Sequence, residues 1–161
     1  LLRSLSDTNF FAIFVGIESP DTDSLVLMQK KQNTRRSLQQ SIETIHRAGI
    51  FVNAGFIVGF DSEKGSVAQG MIDCIEDTSI PVCMVGLLYA LPTTQLTRRL
   101  LAEGRLFSGN EQTQSGDQCT AGLNFKTQRP RRDIVNDYRT VLATIYAPSA
   151  YLGRVRRLGR V

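Results

Sequence analysis

The chain has little cysteine and histidine, and those residues lie too far apart to suggest a metal site. Cys74, Cys83 and Cys119 are an odd number at wide spacing, which favours reduced thiols over a disulfide framework. His46 is the only histidine, and no pair of these four residues has the spacing of zinc ligands. The sequence therefore argues against a secreted, disulfide-rich protein and against a protein metal site, and it predicts a cytoplasmic location.

Long apolar runs are also absent. No segment approaches the roughly 20 residues that a membrane span requires, and no secretory signal is evident. With 161 residues, 42% of them apolar and 21% charged, the chain suits one globular domain, or one domain with an appendage. The chain begins with Leu1 rather than Met, and its first residues look like the end of a helix. We therefore expect it to be a piece of a longer protein.

Two phosphate-binding motifs are missing from the stretch that carries the strongest pattern, residues 50–63. Gly55 and Gly59 are four residues apart, which excludes the Gly-x-Gly-x-x-Gly fingerprint of dinucleotide sites. The order Lys64-Gly65-Ser66 is not that of a phosphate loop, in which Gly precedes Lys. The two glycines lack a Cβ, so a flat ring could approach the backbone there, or they could simply allow tight packing.

Three apolar segments alternate with helical patterns and predict an α/β fold with a parallel sheet. The strands are expected at residues 10–17, 50–58 and 82–88, adjacent in that order. Between them, one helix is expected to be capped by Asn33 or Thr34 and to end at Gly49, after a short helix to about residue 29. A further helix is marked by apolar residues near 67–75, and Thr94 is expected to cap another that ends at Gly104.

The composition changes after the third strand–helix unit. Residues 105–121 are rich in Ser, Gly, Gln, Asn and Thr, which indicates a loop. We therefore divide the chain into residues 1–106, the sheet domain, and residues 107–161, a loop with a helical extension. Residues 129–133 are expected to open its first helix, which carries apolar residues as far as Ile145, and Pro148 is expected to start a short helix to about Arg157. From residue 129 onward there are eight Arg and two Asp, a net charge of +6. The earlier residues carry a net charge of −2.

The ends of the three predicted strands bring chemically useful groups to one edge of the sheet. Glu18 and Ser19 follow the first strand, Gly59 follows the second, and Leu88 and Tyr89 follow the third. Carboxylates bind ribose hydroxyls well, and apolar slots lined by backbone suit adenine. Ligands of α/β folds bind at this edge, so we name these strand ends the rim and expect it to bind a ligand.

An ordered set of motifs resembles the fourth, fifth and sixth strands of radical S-adenosylmethionine enzymes. The closest resemblance is to members with an N-terminal cobalamin-binding domain, including the hopanoid methylases. The motifs are Gly16-Ile17-Glu18-Ser19, Gly55-Phe56-Ile57-Val58-Gly59 with Glu63, Leu87-Leu88-Tyr89-Ala90-Leu91-Pro92 and Glu103-Gly104-Arg105-Leu106. The C-terminal extension of these enzymes is similar to Gly122-Leu123-Asn124-Phe125 and to the pattern of Tyr138-Arg139, Val141-Leu142, Ile145-Tyr146, Pro148 and Tyr151.

The resemblance implies a set of cofactor-binding residues. Glu18, with Ser19 beside it, would match the residue that binds the ribose of S-adenosylmethionine. The other implied contacts are Gly55, Ile57 and Gly59 along the adenine, Leu88 and Tyr89 against the same ring, and Lys30 or Arg35 at the methionine carboxylate. The last contact would be an ion pair, which is a strong form of hydrogen bond.

One departure from the family limits what this chain can do. The family holds its iron–sulfur cluster with a Cys-x-x-x-Cys-x-x-Cys loop after its first strand, whereas the cysteines here are nine and 36 residues apart. Cluster chemistry needs those thiolates. The chain is therefore expected to be the C-terminal half of a TIM-like partial barrel, without catalytic or metal-binding residues and inactive alone.

The implied partners are the missing N-terminal half and a small-molecule substrate. The implied cofactors of the longer protein are S-adenosylmethionine and an iron–sulfur cluster, and its use of cobalamin stays open, as does the choice between oxidoreductase and methyltransferase. Without the strands of the missing half, the outer edge of the first strand here has no partner strand. We therefore expect the isolated chain to self-associate through this edge or to cover it with its N-terminal residues.

Two other interpretations compete with this one. The chain could be a non-catalytic binding or docking module with a basic C-terminal tail. It could also bind nucleic acid through that tail, but only Tyr151 interleaves the terminal arginines, so no nucleic acid is expected. His46, Cys74 and Cys83 are read as structural residues, and Glu63 as a carboxylate in the first turn of a helix.

Overall fold

The protein is described by a computed structural model, which covers residues 1–21, 37–107 and 122–160. Among these residues, three strands alternate with helices, and two further helices follow. The strands are β1 (Ala12–Glu18), β2 (Phe51–Val58) and β3 (Val82–Leu87). The helices are α1 (Leu2–Asp7), α2 (Leu38–Arg47), α3 (Ala68–Thr78), α4 (Gln95–Ala102), α5 (Arg131–Ile145) and α6 (Pro148–Leu158).

The three strands form one parallel sheet in the order β1-β2-β3. Val15 pairs with Ala54, and Ala54 pairs with Cys83, so the strands are in register near their centres. The backbone ladder continues past β3, because the Leu88 amide donates to the Val58 carbonyl at 2.8 Å. The predicted α/β class, the strand positions and the parallel order are confirmed.

One face of this sheet is covered by helices and holds the core. Val52, Ala54, Phe56 and Val58 alternate along β2 and are each 1% exposed or less. Side chains with this spacing all lie on the same face of a strand. Met71 and Ile75 of α3 belong to the same core cluster, as their helical spacing predicted.

The helix boundaries follow the predicted signals, with one correction. Thr94 caps α4 by accepting a hydrogen bond from the Thr97 amide, and Gly49 and Gly104 have φ values of +76° and +64° just past their helices. The cap of α2 is Ser37, whose side chain accepts from the Gln40 amide, and not Asn33 or Thr34. Ser, Thr and Asn cap almost equally well, so the sequence pattern could not choose among them. The short helix expected up to residue 29 lies outside the described residues.

The C-terminal extension packs directly on the sheet domain. Helix α5 contacts α3 and β3, and Ile134, Val141 and Ile145 are buried in the core shared with the sheet. The hydroxyl of Tyr146 accepts from the Cys83 amide at 3.1 Å and donates to the Cys83 carbonyl at 2.7 Å. The extension therefore also satisfies backbone groups of β3.

The other face of the sheet is open. Phe14 of β1 and Met84 of β3 are 60% and 56% exposed. Both lie on the side of the sheet opposite to the helices, next to Gly55 of β2. No helix in the described residues is long and apolar enough to cross a membrane.

Candidate functional site

Glu18 ends β1 in a backbone conformation that few residues other than glycine adopt. Its φ is +69°, and the register between β1 and β2 shifts between Gly16 and Glu18, so that Glu18 pairs with Phe56. A bulge re-aims the side chain of the residue within it, and positive φ at such a residue is a strained state that is concentrated at functional sites. These features distinguish Glu18 from an ordinary carboxylate at a strand end.

Ser19 is buried beside a cavity at the same end of the sheet. It is 5% exposed, and its Oγ accepts a hydrogen bond from the Asp21 amide at 3.1 Å. The cavity has a volume of about 770 Å³ and is lined by residues 19–21, 61–67 and 70. Its size is typical of a small-molecule site, and it places Ser19 next to the loop that joins β2 to α3, which we call the β2–α3 loop (residues 59–67).

The two glycines of the second strand motif pack against side chains of this chain. A Cβ on Gly55 would lie 2.8 Å from the ring of Phe14, and a Cβ on Gly59 would lie 2.8 Å from Leu123 Cδ2. Gly59 also has a φ of +107°, which L side chains rarely adopt. Tight packing therefore explains both glycines, and the adenine contact predicted for them and for the partly buried Ile57 stays a prediction.

Leu88 and Tyr89 form the third part of the rim, and the C-terminal extension bonds to the backbone of the residues on either side of Tyr89. Leu88 is 8% exposed, and its carbonyl accepts from the Leu123 amide at 2.7 Å. The side chain of Asn124 accepts from the Ala90 amide at 2.8 Å and donates to the Ala90 carbonyl at 3.1 Å. The backbone of the rim at β3 is thus held from outside the sheet domain.

The structure brings most of the predicted site residues to the carboxyl ends of the strands. Glu18, Ser19, Gly59, Leu88 and Tyr89 lie at or just past those ends. Gly55 and Ile57 lie within β2. The remaining candidates, Lys30 and Arg35, lie outside the described residues.

Sequence reasoning missed a buried ion-pair network behind the rim. Glu63 is not in the first turn of α3, which begins at Ala68. Its carboxylate instead accepts from the amides of Gly59 and Phe60 at 2.8 and 3.0 Å and pairs with Arg129 at 2.7 Å. The 66 residues that separate Glu63 from Arg129 explain why no local pattern revealed this pair.

Asp61 is also engaged within the fold. It pairs with Arg105 at 2.7 Å and with Arg99 at 2.8 Å. Hydrogen bonds to Asp61 raise the pKa of Arg105 above its usual range, so this arginine stays charged. Arg105 also lies 5.8 Å above the ring of Phe125, which adds a cation–π contact. Asp61 therefore fixes the loop against α4 and against Arg105 just after it, which in turn contacts the extension.

The described cysteines and the histidine have the properties of structural residues. Burial raises the pKa of Cys74 to about 11 and the pKa of Cys83 to about 12, so both are thiols near neutral pH. Burial lowers the pKa of His46, whose Nε2 is buried without a hydrogen-bond partner. Cys119 lies outside the described residues.

Two curated relatives match almost the whole chain. The uncharacterized methyltransferase sll1242 of Synechocystis sp. (strain ATCC 27184 / PCC 6803 / Kazusa) is 39% identical over 154 residues, and the hopanoid C-2 methylase of Rhodopseudomonas palustris (strain TIE-1) is 32% identical over 154 residues. This chain is a homologue of part of these proteins. The matches cover 96% of this chain and 28% of each relative. They confirm the resemblance to hopanoid-type radical S-adenosylmethionine methylases that the motifs indicated.

A family described as "Domain of unknown function (DUF4070)" matches residues 94–160. This range begins at the cap of α4 and includes α5 and α6. It therefore contains Asn124 and Arg129, the two residues that brace the rim, as well as the whole helical extension.

The described part of the chain offers no set of ligands for an iron–sulfur cluster. Among residues 1–21, 37–107 and 122–160, no group of three or more His, Cys, Asp or Glu could hold a metal ion. With the partly buried Cys74 and the buried Cys83 both held as thiols, these residues do not fit an iron–sulfur cluster. The strand ends carry groups of the kind that a nucleoside site uses, with the carboxylate of Glu18 on β1 and the apolar Leu88 after β3, and binding of a nucleoside there stays a prediction.

Proposed function

We propose that this chain is part of a radical S-adenosylmethionine methyltransferase and that its rim binds the nucleoside end of S-adenosylmethionine. The relatives that support this are named as a methyltransferase and a hopanoid C-2 methylase. The observation that carries the proposal is the conformation of Glu18, with a φ of +69° at a register shift on the carboxyl edge of the sheet. Strained residues of this kind are concentrated at functional sites.

Glu18 would bind the ribose in this arrangement. A carboxylate has two oxygens that accept hydrogen bonds, and a ribose presents two adjacent hydroxyl donors. Without the carboxylate, those hydroxyls would lose partners within a partly enclosed site, at a cost of about 1–3 kcal/mol. Leu88 and Tyr89 would line the adenine beside it.

The iron–sulfur cluster, the substrate pocket and any cobalamin would be held by other parts of the longer protein. The chain spans 28% of the length of its curated relatives, and its described cysteines are unsuited to a cluster. S-adenosylmethionine, once bound, would supply the methyl group or radical chemistry of the reaction. This chain would contribute binding and orientation, and it would be inactive by itself.

The test is a titration of the full-length protein with S-adenosylmethionine. Glu18→Ala is expected to weaken binding about tenfold, equivalent to about 1.4 kcal/mol, while the absorbance of the cluster is unchanged. Glu43→Ala is the matched control, because Glu43 is a carboxylate on α2 that is 46% exposed and paired only locally with Arg47. Normal binding by Glu18→Ala would show that the ribose assignment is wrong.

The open face of the sheet supports a proposal about partners. Phe14 and Met84 are more than half exposed on the open face of the sheet. Exposed apolar sheet surfaces and unpaired edges are commonly covered by another chain or domain. We propose that the rest of the longer protein covers this face and that the isolated chain self-associates through it. Sedimentation of the isolated chain is expected to show dimers or larger species, and Phe14→Ser should shift it toward the monomer. If the isolated chain without the substitution sediments as a monomer, this proposal is contradicted.

Several arginines of the basic tail are used inside the fold. Arg131 donates to the carbonyls of Leu123 and Gly122 at 2.6 and 3.2 Å. Arg129, Arg154 and Arg157 pair with carboxylates of the sheet domain. These bonds favour a structural role for the tail over a nucleic-acid surface.

A further inference from the structure

The β2–α3 loop is held at its first residues by a single buried carboxylate. Glu63 is 8% exposed, and its Oε1 accepts from the amides of Gly59 and Phe60 at 2.8 and 3.0 Å. These two amides belong to the residues that directly follow β2. The position of the Glu63 side chain therefore fixes the backbone of the rim at β2.

Arg129 holds that carboxylate from the other side. Its Nη1 donates to Glu63 Oε2 at 2.7 Å, and its Nη2 donates to Asp137 Oδ2 at 2.7 Å. Asp137 in turn accepts from Ser66 Oγ at 2.6 Å and from the Val67 amide at 3.1 Å. A single guanidinium thus connects, through two carboxylates, to both ends of the β2–α3 loop.

The network is buried enough for its hydrogen bonds to be strong. The side chains of Arg129, Glu63 and Asp137 are 11%, 3% and 5% exposed. Charged hydrogen bonds out of water are stronger and more directional than exposed ones. Between these anchors, Lys64 and Gly65 are exposed, so the anchors determine the shape of the loop.

We propose that Arg129 is a positioning residue for the rim: through Glu63 it sets the backbone of Gly59 and Phe60, and through Asp137 it sets the far end of the β2–α3 loop. Asn124 performs the same task at β3 through its two hydrogen bonds to Ala90. The segment matched by the family of unknown function is then part of the ligand site. The part of this inference that concerns ligand binding rests on the proposed function.

The first test does not depend on any ligand. Hydrogen exchange is measured in the full-length protein carrying Arg129→Met, Arg129→Lys or the control Arg157→Met. Arg157 also ties the extension to the sheet domain, but it does so through Glu76 and Ser79, at the opposite end of α3. Arg129→Met is expected to speed exchange of the Gly59 and Phe60 amides about tenfold, Arg129→Lys to do so less, and Arg157→Met to leave it unchanged.

The second test measures the affinity of the same variants for S-adenosylmethionine. Arg129→Met is expected to lower it about tenfold, and Arg157→Met is expected to leave it at the parent value. If the parent protein does not bind S-adenosylmethionine, the proposed function fails, and the exchange result still decides whether Arg129 positions the loop. Unchanged exchange in Arg129→Met, or an equal increase in Arg157→Met, overturns the positioning role.

Discussion

Arg154 is the side chain whose replacement is expected to cost most stability in the C-terminal extension. It is fully buried, with 0% exposure. Its Nε donates to the Ile80 carbonyl at 2.9 Å, its Nη2 donates to the Ile145 carbonyl, and its Nη1 pairs with Glu76. It therefore joins α6 to the end of α5 and to the turn before β3.

The size of the effect follows from what Arg154→Met would leave behind. Methionine fills much of the apolar volume of the arginine stem, so little packing is lost. Two buried carbonyls, of Ile80 and Ile145, lose their donor, at about 1–3 kcal/mol each. Glu76 keeps its ion pair with Arg157 at 2.7 Å, so no unpaired carboxylate results. We expect a loss of about 3 kcal/mol, or a midpoint of thermal unfolding lower by about 10 °C.

Urea and thermal unfolding, followed by circular dichroism, would measure this loss. Arg156→Met is the matched control, because Arg156 is exposed on the same helix and its replacement is expected to change stability by less than about 0.5 kcal/mol. Apolar replacement of a buried ion pair is sometimes neutral. An Arg154→Met variant as stable as the control would show that this holds here and that the carbonyl bonds contribute nothing.

Two further predictions concern the loop and its network. Gly59→Ala is expected to destabilise the fold by about 2 kcal/mol because of its φ of +107° and the crowding by Leu123, whereas Gly65→Ala, with open space around it, should change little in a urea titration. Burial acts to raise the pKa of Asp137, but hydrogen bonds from Ser66 and Arg129 outweigh it and hold the pKa below its usual range. That contribution to stability is present above the unfolded pKa of about 4 and is lost as the pH falls through the lower folded value. In the Asp137→Asn variant, the free energy of unfolding should therefore fall less steeply as the pH is lowered below about 4. The same dependence on pH in the variant and the parent would contradict this.

The fold was readable from the sequence because its determinants are local. Apolar runs of strand length and helix-spaced apolar residues placed all three strands to within two residues at either end. Thr94 and Gly104 marked the two ends of α4 for reasons of cap chemistry alone. The parallel order could be predicted because a helix lies between each strand and the next. Such a helical crossover is the usual connection between parallel neighbouring strands.

The features that shape the rim could not be read in this way. The positive φ of Glu18 depends on a register shift against β2. The pair of Glu63 and Arg129 joins residues that are 66 positions apart. No periodic pattern or motif encodes such contacts, because they join residues that are far apart in the sequence. Pairwise covariation in an alignment is the kind of signal that could have indicated them.

The predicted boundary at residue 106 follows a change in composition, but the hydrophobic core extends across it. Ile134, Val141 and Ile145 of α5 are each 1% exposed or less and pack with core residues of the sheet domain. Burial of a side chain of this size contributes about 1.5–3 kcal/mol, so the three together contribute about 4.5–9 kcal/mol. That amount is comparable to the whole stability of a typical domain.

A chain cut after residue 106 is therefore expected not to form a packed structure. Near-ultraviolet circular dichroism and the dispersion of amide NMR signals would compare it with the full 161-residue chain. A chain that lacks only residues 148–161 is the matched control: it keeps Ile134, Val141 and Ile145 and should fold, with the reduced stability that the loss of Arg154 implies. If the 1–106 chain unfolds cooperatively and shows dispersed signals, the sheet is stable without α5, and the shared core is not what holds it together.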